Sequence, residues 1–235
     1  MAAESKSLIP EILPDRRLGS AQSENSAHCL FVCPARSLPV GLVFALIILA
    51  VWTRQGYFNA ITSLLAALCI VWFTIRDRYS VRELGLARPG NGAFVILVCG
   101  ACMVATIAVA GSLIHNLGPA QAVPWRRTWQ YAIWSVEQEF ILQSFFFVRL
   151  ESILGSRRAA WGAALLFSAA HLPSPVLTLL SFIGGLVFCE LFRKYRNILP
   201  LGLVHATLGL TIAASFPDSL LHHMRVGLGY LLYRP

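Results

Sequence analysis

Two carboxylates lie near the middle of an apolar, aromatic-rich stretch that is long enough to span a membrane. The stretch reads WSVEQEFILQSFFFVR over residues 134–149, and its carboxylates are Glu137 and Glu139. A charge at the centre of a bilayer costs about 2.5–3.5 kcal/mol on insertion scales, so a carboxylate at that depth indicates a functional site. Together with imidazoles, such a group can activate water, stabilise an oxyanion or bind a metal ion.

Two histidines on other apolar segments are predicted to lie at the depth of Glu139. Counted from the nearest basic residue at the predicted cytosolic end of each segment, Glu139, His171 and His205 lie ten, thirteen and nine residues deep. At about 1.5 Å per residue, these depths are roughly 15, 20 and 14 Å. Since the hydrocarbon core is about 30 Å thick, all three side chains fall near its midplane. We therefore expect them to form one site.

Helix periodicity favours Glu139 over Glu137 as the functional carboxylate. Two residues on, a helix has turned by about 200°, so the two carboxylates cannot share a face. The neighbours of Glu139 one turn away are Ser135 and Gln143, which are polar, whereas those of Glu137 are both isoleucines. Glu139 thus belongs to a polar stripe, and Glu137 is a secondary candidate. The alternative that these polar groups only bond the helices to one another, without a catalytic role, stays open.

The elements that must position this site are membrane helices. The chain has 235 residues, of which 57% are hydrophobic and 13% are charged, with a mean hydropathy of +0.66. Soluble domains carry roughly 25% charged residues, so the composition indicates an integral membrane protein. We predict an all-α, polytopic bundle of about seven transmembrane helices. The predicted spans are residues 38–52, 60–75, 93–114, 129–148, 159–172, 176–192 and 198–215.

The distribution of basic residues predicts a cytosolic N-terminus. With that orientation, 14 of the 19 Lys and Arg residues lie in cytosolic segments, as the positive-inside rule requires. Because the net charge of +8 is carried by these loops and tails, we predict no nucleic-acid partner. The expected partners are the lipid bilayer and a membrane-anchored protein or peptide substrate.

Three motifs on separate predicted helices resemble those of the CPBP family of intramembrane proteases, which includes the type II CAAX prenyl proteases and the bacteriocin-processing (Abi) group. The family pattern is Glu-Glu-x-x-x-Arg, then Phe-x-x-x-His, then His-x-x-x-Asn or similar. The matching residues are QEFILQ at 138–143, FSAAH at 167–171 and HATLG at 205–209. Residues 83–89 and 197–205 are also similar to family segments.

The resemblance implies a protease core over residues 125–215. The remaining predicted regions are a cytosolic tail at 1–37, N-terminal transmembrane helices at 38–124 and a C-terminal tail at 216–235. It also implies hydrolysis of a peptide bond within or beside the membrane. A glutamate and His171 would activate water, and His205 would stabilise the oxyanion. Glu139, His171 and His205 are therefore the expected catalytic residues.

Two questions about the chemistry stay open at this point. Glu139, His171 and His205 would be metal ligands only if the protein is a zinc enzyme; a metal-independent, glutamate-based mechanism is the alternative. The chain also departs from the family pattern. Gln138 replaces the first Glu, Gln143 replaces the Arg and Gly209 replaces the Asn. Gln138 and Gln143 therefore join Glu137 as secondary candidates.

Three functions follow from these residues. The first is an intramembrane endopeptidase acting on a membrane-anchored protein or a C-terminal sorting signal. The second is a non-catalytic membrane chaperone or immunity-type protein with the same fold, which the replaced motif residues favour. The third is a transporter or proton relay that uses the same buried groups. The expected location is the bacterial cytoplasmic (inner) membrane.

Overall fold

The computed structural model describes residues 37–114 and 125–234, and these residues form helices and no strands. The predicted tail at 1–37 lies outside this part of the chain except for Ser37, which begins the first helix. In chain order the helices are α1 (Ser37–Val51), α2 (Tyr57–Arg76), α3 (Gly92–Ile114), α4 (Trp125–Glu139), α5 (Val148–Leu154), α6 (Ser156–Ala169), α7 (Pro175–Tyr195), α8 (Ile198–Ser215), α9 (Asp218–Leu221) and α10 (Gly227–Leu231).

Four of the described helices are long and apolar enough to cross a membrane. They are α2, α3, α7 and α8, and much of their apolar surface faces outward from the bundle. The all-helical membrane fold is thereby confirmed. The count of about seven spans and the cytosolic N-terminus stay predictions.

The fourth predicted span is the middle of one longer, continuous helix. Residues Phe140–Phe147 connect α4 to α5 as a π-helix, in which the Val148 N–H bonds to the Gln143 carbonyl five residues back. The sequence predicts a loop over residues 149–158, between the spans at 129–148 and 159–172. That prediction was wrong, since the helix continues to Leu154 and turns at Gly155, which has φ +78°. Arg149 explains the difference. Its side chain is 2% exposed and paired with Asp77 at 3.0 Å instead of reaching water.

The sixth helix ends earlier than the sequence predicted. α6 stops at Ala169, so His171 lies in the turn that follows it and not inside a span ending at residue 172. The physical reason is Pro173, because it has no N–H to bond the Ala169 carbonyl four residues back and its ring would clash with that carbonyl in a continued helix. The next helix then begins at Pro175, where Ser174 caps it by accepting a hydrogen bond from the Leu177 N–H.

α8 lies at the centre of the helix packing that surrounds the site. It packs against α3 and α4, while α6 packs against α7 and against α5. The buried core runs through the π-helix, where the side chains from Leu142 to Phe147 are all buried. Glu139 lies immediately before this buried, aromatic-rich segment, whose packing positions it.

The loop between α2 and α3 is docked onto the same centre. Ser144 donates a hydrogen bond to the Leu84 carbonyl at 2.6 Å, and the Ile198 N–H bonds to the Gly85 carbonyl at 3.0 Å. Asn197 donates to the Ala87 carbonyl at 3.1 Å and also caps α8. The loop therefore ties the π-helix to the beginning of the helix that carries His205.

Candidate active site

A buried carboxylate and an imidazole form the centre of the candidate site. The Nδ1 atom of His205 lies 2.9 Å from Oε1 of Glu139, and Gln143 Nε2 donates to Oε2 of Glu139 at 3.2 Å. The Glu139 side chain is 0% exposed. Both of its oxygens therefore have a partner, which is what a carboxylate removed from water requires.

The contact with Glu139 determines which nitrogen of His205 is available for chemistry. An ionised carboxylate only accepts hydrogen bonds, so Nδ1 of His205 must donate its proton to Glu139. This leaves Nε2 for other partners.

A backbone carbonyl holds the His171 ring, and this contact gives its two ring nitrogens different roles. Its Nδ1 lies 2.7 Å from the Phe167 carbonyl, which can only accept, so Nδ1 is the donor. In the neutral ring, Nε2 then carries the lone pair. The Phe167 ring contacts both histidines, with centroids 4.8 Å from the His171 ring and 5.9 Å from the His205 ring.

Both histidines line one cavity of about 710 Å³. Its wall is mostly apolar and is contributed by α1 to α4, the π-helix and α6 to α8. The size and the few polar groups are typical of a site that binds an organic ligand or a chain segment. Glu137 and Gln138 line this cavity, whereas Glu139 lies fully buried beside His205.

The close approach of α4 to α8 depends on two glycines that flank His205. A Cβ atom at Gly202 would lie 2.6 Å from the Val136 side chain, and one at Gly209 would lie 1.9 Å from the Tyr131 hydroxyl oxygen. Any larger residue at either position would push the helices apart. The contact between Glu139 and His205 exists because this interface is so tight.

These side chains do not fit the three-ligand zinc site that the sequence left open. Across residues 37–114 and 125–234, no three His, Cys, Asp or Glu side chains are placed so that they could hold one metal ion. Glu139 directs its two oxygens to His205 and Gln143. Its carboxylate is thus used within the protein, and the arrangement is that of a hydrogen-bonded pair.

Comparison with known families identifies this region. Residues 121–211 match the family model described as type II CAAX prenyl endopeptidase, Rce1-like. This segment is thus similar to the Rce1-like family. No curated protein and no solved structure gives a significant match to the chain.

The Rce1-like segment contains all three of the predicted site residues. The family is one of membrane endopeptidases, and its assignment agrees with the apolar helices in placing the protein in a membrane. Glu139 and His205 are in direct contact, and His171 lies on the same cavity. Gln143, at the position of the motif Arg, donates a hydrogen bond to Glu139.

Three features of the site were not predicted from the sequence. The first is the π-helix, for which the apolar run 140–147 carries no distinctive signal. The second is the docking of the loop at residues 84–87 against the π-helix and α8. The third is Tyr131. It lies on the same stripe as Ser135 and Glu139, so extending that stripe by one more turn would have included it.

Proposed function

We propose that the protein is an intramembrane endopeptidase that hydrolyses a peptide bond of a membrane-anchored protein or of a C-terminal sorting signal. One observation carries this proposal: two histidines line one apolar cavity, each with Nδ1 committed to a fixed acceptor and Nε2 left for chemistry. The Rce1-like assignment of the segment that contains both histidines supports the same reaction class.

The proposed reaction begins with a water molecule in the cavity. Nε2 of His171 accepts a proton from this water as the water oxygen bonds to the scissile carbonyl carbon. Glu137 lines the same cavity, and in this proposal it is the carboxylate that assists the proton transfer. When the carbon–nitrogen bond breaks, the proton held by His171 passes to the leaving amine.

His205 and Glu139 have a different role in this proposal. With both ring nitrogens protonated, His205 donates from Nε2 to the oxyanion that forms on the carbonyl oxygen. Glu139 accepts from Nδ1 and compensates the positive charge of the ring. Glu139 is therefore a positioning residue that acts through His205, while His171 and His205 are the catalytic residues.

The apolar cavity and the surrounding apolar helices favour a substrate that is itself in the membrane. We propose that the protein lies in a bacterial cytoplasmic membrane with its N-terminus in the cytosol, in agreement with the excess of basic residues in the predicted cytosolic loops. A substrate segment would then enter the cavity from the bilayer.

The test is a comparison of membrane proteins from cells that carry the wild type or the His171→Ala variant. We expect one inner-membrane protein to have a different terminus in the two kinds of cell. This protein should be uncleaved in His171→Ala and in His205→Ala. It should be cleaved normally in the control Glu190→Gln, whose carboxylate is exposed on α7. All variants should insert at wild-type level. Continued cleavage in His171→Ala would refute the proposal.

A non-catalytic role is the second candidate, and Gln138 favours it. An amide lines the cavity at the position where the family pattern has its first glutamate. If the cellular function needs no cleavage, the double variant His171→Ala/His205→Ala should keep it in full. The same variants therefore distinguish the two candidates.

A further inference from the structure

The segment that follows α8 returns to the active-site cavity. Met224 and Val226 line the same cavity of about 710 Å³ as His171 and His205. Both side chains are apolar and partly buried. Residues 222–227 therefore form part of the wall of this cavity, and we call them the C-terminal wall.

A backbone hydrogen bond holds the C-terminal wall at the turn that carries His171. The Gly227 N–H donates to the Leu172 carbonyl at 2.7 Å. Each of these two residues directly follows a residue that lines the cavity, Val226 in one case and His171 in the other. Gly227 has φ +55°, and a Cβ atom at this position would collide with the Val51 carbonyl at the end of α1. The wall is thus fixed between α1 and the turn after α6.

The turn before Val226 has a strained backbone. His222, His223 and Met224 have φ values of +47°, +53° and +56°. The Cβ atom of an L-residue disfavours this left-handed region. Residues in such conformations persist only where the surrounding structure determines them, and they are frequent at functional sites. Contacts outside the turn must therefore hold it in place.

Those contacts come from polar and aromatic side chains around Asp218. Its carboxylate accepts hydrogen bonds from the His223 N–H and the Tyr233 hydroxyl, and His223 Nδ1 lies 2.8 Å from Oδ1 of Asp218. The His222 ring stacks on the rings of Tyr230 and Tyr233, with centroids 4.3 and 5.2 Å apart. These contacts close the segment on itself across the strained turn. The C-terminal wall is therefore preformed.

We propose that the C-terminal wall forms the subsite for the substrate residue that carries the leaving amine, and that Val226 limits the size of the apolar side chain accepted there. This assignment rests on the proposed endopeptidase function, in which His171 passes its proton to the leaving amine. The amine then lies at His171, and the side chain of its residue lies beside the neighbouring wall. In an apolar subsite, one methylene group more or less typically changes kcat/KM by about 10–200-fold.

The experiment measures kcat/KM with the membrane protein identified by the His171→Ala comparison, using purified enzyme in liposomes. The substrate residue after the cleaved bond is changed to alanine, valine, leucine or phenylalanine. We expect Val226→Ala to raise the ratio of kcat/KM for phenylalanine over alanine by about tenfold or more, and Val226→Phe to lower it by a similar factor. Opposite signs distinguish an effect of size from a general loss of folding.

The matched controls are Leu231→Ala and Leu231→Phe. Leu231 lies in the same C-terminal segment, but its side chain is 59% exposed and does not line the cavity. Both variants should keep the wild-type ratio.

Each result decides the assignment. A ratio that is unchanged in either Val226 variant, or that shifts in the same direction in both, would overturn the subsite and leave the proposed function standing. A wild type that cleaves nothing would overturn the proposed function and this assignment with it.

Discussion

At the scale of single residues, the central feature is a carboxylate that does not face the cavity. Glu139 is 0% exposed and is bonded to His205 and Gln143. A buried charge is tolerated only when it is fully paired, and removing one partner of such a pair typically costs about 3–5 kcal/mol. Loss of His205 would therefore leave the Glu139 carboxylate uncompensated, and the contact between the two side chains orients the His205 ring.

The role of Glu139 can be tested with an isosteric change. Glu139→Gln keeps the shape but removes the charge that balances a doubly protonated His205, so we expect kcat to fall by about 10²–10⁴-fold with KM little changed. Glu139→Asp, which keeps the charge, should recover part of the lost activity. The measurement is the rate of substrate cleavage in liposomes at equal amounts of inserted protein.

The matched control for this change is Glu190→Gln, an exposed glutamate on α7 that pairs with Arg193. It should retain the wild-type rate. If Glu139→Gln cleaves as fast as this control, Glu139 is only a structural partner of His205.

The sequence could predict that Glu139 faces the interior of the bundle because the residues on its own helix face are enough to show this. Ser135, Glu139 and Gln143 recur every four residues, and all three side chains are buried. For His205, the partner of Glu139 across the interface, the sequence could predict only the depth of the side chain in the membrane. Tyr131 was missed because its neighbour is the backbone of Gly209, and the absence of a side chain gives no signal in a polarity pattern.

At the scale of helices and loops, two local structures set the geometry of the site. The π-helix widens the turn after Glu139, and such segments are rare and frequently occur at functional sites. The loop at residues 84–87 joins this π-helix to the beginning of α8 through three hydrogen bonds. The carboxylate and His205 are therefore held by one hydrogen-bonded unit.

Gly85 is the residue on which that loop depends. It has φ +70°, and a Cβ atom there would lie 2.4 Å from the buried ring of Phe192. We expect Gly85→Ala to lower the free energy of unfolding by about 2–4 kcal/mol, from backbone strain and overpacking together. Thermal unfolding of the purified protein in detergent should show a lower Tm.

Gly90→Ala provides the comparison within the same loop. Nothing lies within 4 Å of a Cβ atom at Gly90, so its effect should stay within about 0.5 kcal/mol. Equal melting temperatures for the two variants would show that the docked loop does not support the fold.

Helix positions were largely predictable at this scale, whereas helix ends were not. Each apolar run became a helix because a lipid-exposed backbone must satisfy its own hydrogen bonds. The end at Leu154 was missed because Arg149 is paired with Asp77, 72 residues away along the chain. Sequence periodicity carries no information about a partner at that separation.

At the scale of the whole molecule, the helices that the structure describes between residues 37 and 234 surround a mostly apolar cavity that contains a few polar groups. Apolar side chains cover the outer faces of α2 and α3, and the histidines lie inside. The Rce1-like segment supplies the catalytic candidates from α4 to α8, while α1 to α3 complete the cavity wall. The predicted helical bundle and the similarity to a membrane protease family agree with this arrangement. The cavity itself could be recognised only from the structure.

The most direct test is a cleavage reaction in H₂¹⁸O with the purified protein in liposomes, after treatment with a metal chelator. The account predicts that the substrate is still cleaved, and that the new C-terminal carboxylate carries one ¹⁸O atom in the wild type while His171→Ala yields no labelled product. Loss of cleavage on chelation with recovery on adding Zn²⁺ would contradict the hydrogen-bonded arrangement of Glu139 and His205. A labelled product from His171→Ala would contradict the account as a whole.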